Sequence, residues 1–300
     1  MDVEKQGGKS TPWGMYEKAE QADAYRLGRP SISDAVRDRI LQFLQQKRPR
    51  DAWTRYLDVG CGHGGSTLQV AQSLPSSVEI VCTDVSGAQL DSARETFESE
   101  MPDRKVAFLK CDGSEVSLED GSVDLITVCV AFHWLDEKKF LEQVDRLLKP
   151  GGVLAIVSYR FPNFSSRQWS KEENEQFYAH YIEFVGGCFR KYDPVFKRVE
   201  YNNTQFIELK LPYQDQMCYR SDPTLYGVQK GQVKDVWSLV DSYSMVQRRL
   251  EDEPEQTRKL LAKMKESALA CLPQGANSSE TPVDIISTWF LLMTRKPIET

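Results

Sequence analysis

Between Trp53 and Tyr159 short apolar runs alternate with amphipathic segments, and this alternation constrains the fold more than any other feature of the chain. "AWTRYLDVG" reads as a first strand, "STLQVAQSL" as a helix, "VEIVCTD" as a second strand ending at Asp84, and "GAQLDSARETFES" as a helix. "KVAFLKCD" is a third strand ending at Asp112, and "SVDLITVCVAFHW" a continuously apolar fourth. "EKKFLEQVDRLL" is a helix, "KPGG" a turn, and "VLAIVSY" a fifth strand. Continuously apolar strands joined by helices require a parallel sheet buried on both faces, with right-handed crossovers. The expected architecture is α/β, a Rossmann-like, doubly wound, mostly parallel sheet. Upstream, "SISDAVRDRILQFLQQ" puts Ile32, Val36, Ile40, Phe43 and Leu44 on one helical face, with Ser31 or Ser33 as cap.

Past Tyr159 the pattern changes. Aromatic-rich sequence without clear periodicity runs from about Phe161 to Tyr201, and "NTQFIELKL" alternates like a strand. "VKDVWSLVDSYSMVQRRL" and "EQTRKLLAKMKESAL" read as helices, and "PVDIISTWFLLMTRKP" as a closing strand. One domain spanning 1–300 is expected, without repeats or a low-complexity linker. Within it, 1–50 forms an N-terminal covering segment, 51–160 the core, 161–280 a helical cap with a late strand, and 281–300 the last strand.

The formal net charge of −6 disfavours a broad nucleic-acid footprint. The N-terminus "MDVEKQGGKSTPWG" lacks the apolar stretch of a secretory signal, and no run approaches the ~20 apolar residues of a membrane span. Seven cysteines without a C-x-x-C pair, several in apolar strands (Cys82, Cys111, Cys129), read as reduced, buried thiols of a cytoplasmic protein. With three histidines, His63, His133 and His180, no metal site is expected.

"YLDVGCGHGGST", Tyr56 to Thr67, satisfies G-x-G-x-x-G through Gly60, Gly62 and Gly65. Such a loop cradles either the pyrophosphate of a dinucleotide or the methionine end of S-adenosylmethionine (SAM). Asp58, two residues before the first glycine, favours SAM, because a carboxylate suits an ammonium and repels a pyrophosphate. Asp84 can accept from ribose hydroxyls in either ligand. Asp112 can accept from an adenine amino group. Ligands of open α/β sheets sit outside the carboxyl ends of the strands, so three acids at three consecutive strand ends face one crevice. Asp124, in "GSVDLIT", starts the fourth strand instead.

"LDVGCGHGGST", "TDVSGAQL", "CDGSEVSLEDGSVDLIT", "AFHWLD" and "RLLKPGG" resemble, in this order, the motifs of class I SAM-dependent methyltransferases. "AFHW" and the N-terminal "GRP" resemble the small-molecule branch that includes trans-aconitate methyltransferase, although "GRPSIS" lacks the Tyr-Pro that often follows there. The likeness covers about the first half of the chain, with weaker traces in "DSYSMVQRR" and "TWFLLMTRKP". It implies the class I methyltransferase fold with a helical cap inserted after the fifth strand. It implies SAM as cofactor, with the Gly60 region at its amino-acid end, Asp84 at the ribose, Asp112 at the adenine, and Val85 and Gln89 near the base. Asp58, Gly62, Gly64, Gly113 and Val130 complete the expected cofactor-binding set.

The resemblance also implies a small-molecule acceptor, foremost the carboxylate of an organic acid; the sequence leaves the oligomeric state open, with a monomer favoured. Another O, N or S nucleophile on a small molecule or macromolecule, or a catalytically silent SAM-binding protein, is the alternative. His133, after the fourth strand, either positions the acceptor, acts as base, or is structural; a carboxylate nucleophile needs no base. Phe132 and Trp134 flank it, and Trp134 can equally pack under the next helix. Arg29 is either a surface arginine or the partner of a carboxylate, with Trp13, Tyr16 and Tyr25 in the same segment. Trp237 and Tyr243 are the expected cap contributions.

Overall fold

The computed structural model describes residues 32–189 and 193–298. The parallel half is built from β1 (Arg55–Val59), β2 (Glu79–Asp84), β3 (Val106–Lys110), β4 (Val123–Cys129) and β5 (Leu148–Tyr159). They run in the order 3-2-1-4-5, and β9 (Pro282–Arg295) lies antiparallel beside β5, pairing Val153 with Arg295 through Tyr159 with Trp289. The order reverses between β1 and β4, which opens a crevice above their carboxyl ends.

The sequence explains these elements. Every residue of β4 is buried, as a central parallel strand requires. Helix α1 (Asp34–Gln45) is capped by the Ser33 hydroxyl and buries Val36, Ile40, Leu41, Phe43 and Leu44. Helices α2 (Gly65–Ala71) and α3 (Gly87–Glu100) follow β1 and β2, and α4 (Glu137–Leu147) is capped by Asp136. Asp124 accepts from the Thr54 and Arg55 amides and pairs with Arg48 and Lys149 at the far end of β4, away from the crevice. All seven cysteines are outside disulfides.

Several boundaries differ from the expectations. β3 stops at Lys110, two residues before Asp112, and β4 stops at Cys129. Val130 then takes a left-handed φ of 57°, and Phe132–Trp134 form a 3-10 turn. The KPGG turn lies inside β5, where the pairing with β4 shifts register between Val123 and Leu125.

The region expected to be irregular holds β6 (Asn163–Ser165), α5 (Lys171–Phe189) and α6 (Asp193–Asn203). Helix α5 buries Phe177, Tyr181, Val185 and Cys188, one stripe at helical spacing. It opens on a reciprocal cap in which the Glu173 amide donates to the Ser170 hydroxyl and the Ser170 amide to the Glu173 carboxylate. "NTQFIELKL" forms no strand. Gln205 and Phe206 take positive φ, so the chain turns, buries Phe206 between Phe132 and Phe290, and leaves Ile207 68% exposed. Besides β5 and β6, the strands that pair with β9 are β7 (Gln216–Tyr219) and β8 (Tyr226–Gln232). Helices α7 (Val233–Asp241), α8 (Ser244–Asp252) and α9 (Pro254–Ala270) share a separate hydrophobic cluster with α5 and the first half of β9. The late elements therefore have their own core and reach the crevice from the side of β5.

Candidate active site

The glycine loop is fixed from below. Gly60 and Cys61 amides both donate to the Thr83 carbonyl, at 2.8 and 2.9 Å, tying the loop to the end of β2. Gly60 has a φ of 69°, and a Cβ there would stand 2.5 Å from the Ala131 Cβ, so only glycine lets the β1 loop and the β4 loop meet. A side chain on Gly113 would likewise meet Val59 at 2.5 Å.

Asp84 is half-buried at the tip of β2. One oxygen accepts the Gly62 amide and the other the Ser86 amide, each at 2.9 Å. Burial raises its pKa, against the opposing pull of the Ser86, Gly62 and Val85 amides. Asp112 is exposed, and one oxygen accepts the Ser114 amide at 2.8 Å. The two acids, Val85, Ser86 and Gln89 line one end of a cleft that opens to solvent.

Gly60, Gly62, Gly113 and Val130 also line this cleft, and His133, Trp134 and Tyr243 line its other end. Val130, a β-branched residue at positive φ, is held there by its amide bond to the Val157 carbonyl at 2.8 Å. Such strain persists only where surrounding structure enforces it. The turn that follows is fixed from α6, where Arg198 donates to the His133 and Trp134 carbonyls at 3.1 and 2.7 Å. The His133 and Trp134 rings sit 4.9 Å apart.

Four expected residues lie off the cleft. Asp58 is fully buried beneath the glycine loop, where its oxygens accept from the Thr67 and Thr127 hydroxyls, and Tyr56 donates to Thr127 at 2.7 Å. It braces β1 against β4 and the start of α2, and burial, against those two hydroxyls, pushes its pKa up to about 6. Gly64 caps α2 with a φ of 83° and abuts Ala93 of α3. Phe132 faces the opposite core, edge-on to Phe140 and Phe206. Trp237 is buried in the late helical cluster against Phe177. Trp13, Tyr16, Tyr25 and Arg29 lie outside the described residues.

The cleft also has walls that the sequence reading missed. Tyr159 and Phe161 follow from the end of β5, Val199, Asn202 and Asn203 from α6, and Ser244 and Met245 from the start of α8. Asn202 is fixed by Ser158, whose hydroxyl donates to Oδ1 at 2.6 Å, and by its own amide bond to the Tyr159 carbonyl. For Val199, Asn202 and Asn203 the helical periodicity of α6 is the signal that could have announced them.

A glycine loop at the switch point, an acid at the tip of β2 and a second acid beyond β3 stand where Rossmann-like folds hold an adenosine-containing ligand. Comparison with known proteins narrows the class. Residues 57–152 match a family model described as a methyltransferase domain. The ubiquinone/menaquinone biosynthesis C-methyltransferase of Geotalea daltonii is 28% identical over 163 residues, 54% of this chain and 66% of that protein. An uncharacterised methyltransferase of Mycobacterium bovis is 33% identical over 134 residues, 45% of this chain and 48% of its own length. Across the curated relatives the alignments span about half to two thirds of the relative. A solved structure described as a type II methyltransferase of Anaeromyxobacter dehalogenans shares the fold, with a TM-score of 0.65 at 20% identity over 90% of this chain and 99% of that one. Residues 57–152 are thus similar to a methyltransferase domain, and the chain shares its fold with that solved structure.

Proposed function

We propose that the protein transfers the methyl group of SAM to a small molecule. The observation that carries this reading is one continuous cleft, with Asp84, Asp112 and the glycine loop at one end and His133, Trp134 and Tyr243 at the other. The residues present fit SAM: Gly60 and Gly62 line the cleft without side chains, and Asp84 has acceptor capacity beyond its two amide bonds. When bound, SAM supplies a methyl group on a sulfonium, which needs no metal or covalent intermediate to activate it. In this reading Asp84 accepts from the ribose hydroxyls, Asp112 from the adenine amino group, and Val85 and Gln89 flank the base. Asp58 holds the loop from beneath.

What this chain's residues do for the reaction is align the acceptor and exclude water. The Val130 kink and the Arg198 bonds set where His133 and Trp134 stand. For an acceptor that carries a proton, the nucleophile's lone pair forms the new bond to the methyl carbon. The carbon–sulfur bond breaks with its pair kept by sulfur, and His133 takes the proton. A carboxylate acceptor needs no base and leaves His133 a positioning role. The likeness to the trans-aconitate methyltransferase branch supports that second reading, with Arg29 as its counter-charge. Incubation with labelled SAM and a pool of small metabolites is the test. Conversion to S-adenosylhomocysteine above the rate without metabolites supports transfer, whereas tight SAM binding without conversion identifies a silent SAM-binding protein.

A further inference from the structure

Resting on the methyl-transfer reading, we infer that the acceptor is a neutral molecule with a flat ring system, carrying a hydroxyl, amine or thiol as nucleophile. The acceptor end of the cleft is walled by the rings of Trp134, Tyr159, Phe161 and Tyr243, with Met245 as an adaptable filler. These rings are set before any ligand arrives. Phe161 stands edge-on to Tyr243 at 5.4 Å and 77°, and Trp289 edge-on to Tyr159 at 4.9 Å and 66°. The Tyr243 hydroxyl is 2.6 Å from that of Tyr181, and both side chains are fully buried. Walls made of fixed rings offer apolar contact area that a planar body uses better than a branched aliphatic one.

Charge points the same way. Among the described residues, the cleft carries Asp84 and Asp112 at its cofactor end, and neither lysine nor arginine lines it. The polar groups at the acceptor end are those of His133, Asn202, Asn203, Ser244 and the two tyrosines. Asn202 has its amide committed to Ser158 and the Tyr159 backbone. A carboxylate entering this end would lose its hydration without a described counter-charge, which is costly, whereas a neutral ring loses little. Its protonated heteroatom meets His133, whose imidazole can accept the proton.

The test uses the full-length protein saturated with S-adenosylhomocysteine and two probes, 2-naphthol and adipate, titrated by calorimetry. The expected result is a saturable naphthol isotherm and no heat from adipate. Tyr243→Ala removes one wall and Val199→Phe fills the slot, and each should weaken naphthol at least tenfold. The S-adenosylhomocysteine isotherm of each variant reports that it has folded. Adipate binding as tightly as naphthol, no naphthol binding, or naphthol binding indifferent to both variants overturns the inference. Failure of S-adenosylhomocysteine to bind would sink the methyl-transfer reading instead, and the two probes on the ligand-free protein would still rank ring against acid.

Discussion

Asp58→Asn isolates the cost of a buried charge beneath the glycine loop. The carboxyl ordinarily titrates at 3.8, and in the fold burial pushes it up to about 6, with the Thr127 and Thr67 hydroxyls pulling the other way. A raised carboxyl pKa means that the native state still holds the proton over a range where the unfolded chain has released it. Below the unfolded value both states are protonated and the group costs nothing. Stability then falls as pH rises through the window from 3.8 to about 6, and the loss is complete above it. That gap, at about 1.36 kcal/mol per pH unit, corresponds to about 3 kcal/mol of destabilisation at neutral pH. Asparagine carries no charge at any pH, but it can accept from only one of the two threonine hydroxyls without turning the other, a loss of about 1 kcal/mol. Ligand-free Asp58→Asn should therefore match or trail the wild type near pH 4 and exceed it by about 2 kcal/mol near pH 7.5. Urea unfolding of both proteins at the two pH values measures this. A stability difference that stays constant between them, or that shrinks as pH rises, refutes the reasoning.

Three further substitutions test how the site is held. Gly60→Ala forces a side chain onto a φ of 69° and into Ala131 at 2.5 Å, so affinity for S-adenosylhomocysteine by calorimetry should fall at least tenfold; unchanged affinity would contradict the close approach of the two loops. Arg198→Met removes both carbonyl bonds to the His133–Trp134 turn, so steady-state kinetics should show a lower kcat with S-adenosylhomocysteine affinity retained; parallel loss of both would point to general unfolding. With a protonated acceptor, His133→Ala should abolish most of the rate while S-adenosylhomocysteine affinity is retained, by steady-state kinetics and calorimetry; a rate that persists assigns the proton to another group.

The parallel core was legible because its strands are long apolar runs separated by capped helices, a pattern that admits few topologies. The cofactor end was legible for a related reason, since Asp84, Asp112 and the glycines sit at strand ends that the topology brings together. The burial of Asp58 was not legible because its sequence position says nothing about which way the side chain points, and Thr67 and Thr127 draw it down into the core. The acceptor end was mostly hidden. Helix α5 carries Phe177, Tyr181, Val185 and Cys188 at helical spacing behind a Ser170–Glu173 cap, but its aromatics and the Gly186–Gly187 pair mask the period. "NTQFIELKL" alternates like a strand, yet the contacts of Phe206 with Phe132 and Phe290 outweigh that local preference. Val130 carries no signal in sequence at all, because nothing in "CVAFHW" predicts a left-handed valine.

The central claim is that the cleft at the switch point holds SAM through Asp84. Calorimetry with S-adenosylhomocysteine, with NAD, and with the Asp84→Ala variant tests it most directly. The account predicts a one-site isotherm for S-adenosylhomocysteine, no heat from NAD, and an affinity at least tenfold weaker in Asp84→Ala, as expected for losing a charged hydrogen bond of about 1.5–3 kcal/mol. A saturable isotherm for NAD with none for S-adenosylhomocysteine, or an Asp84→Ala variant that binds as tightly as the wild type, would contradict it.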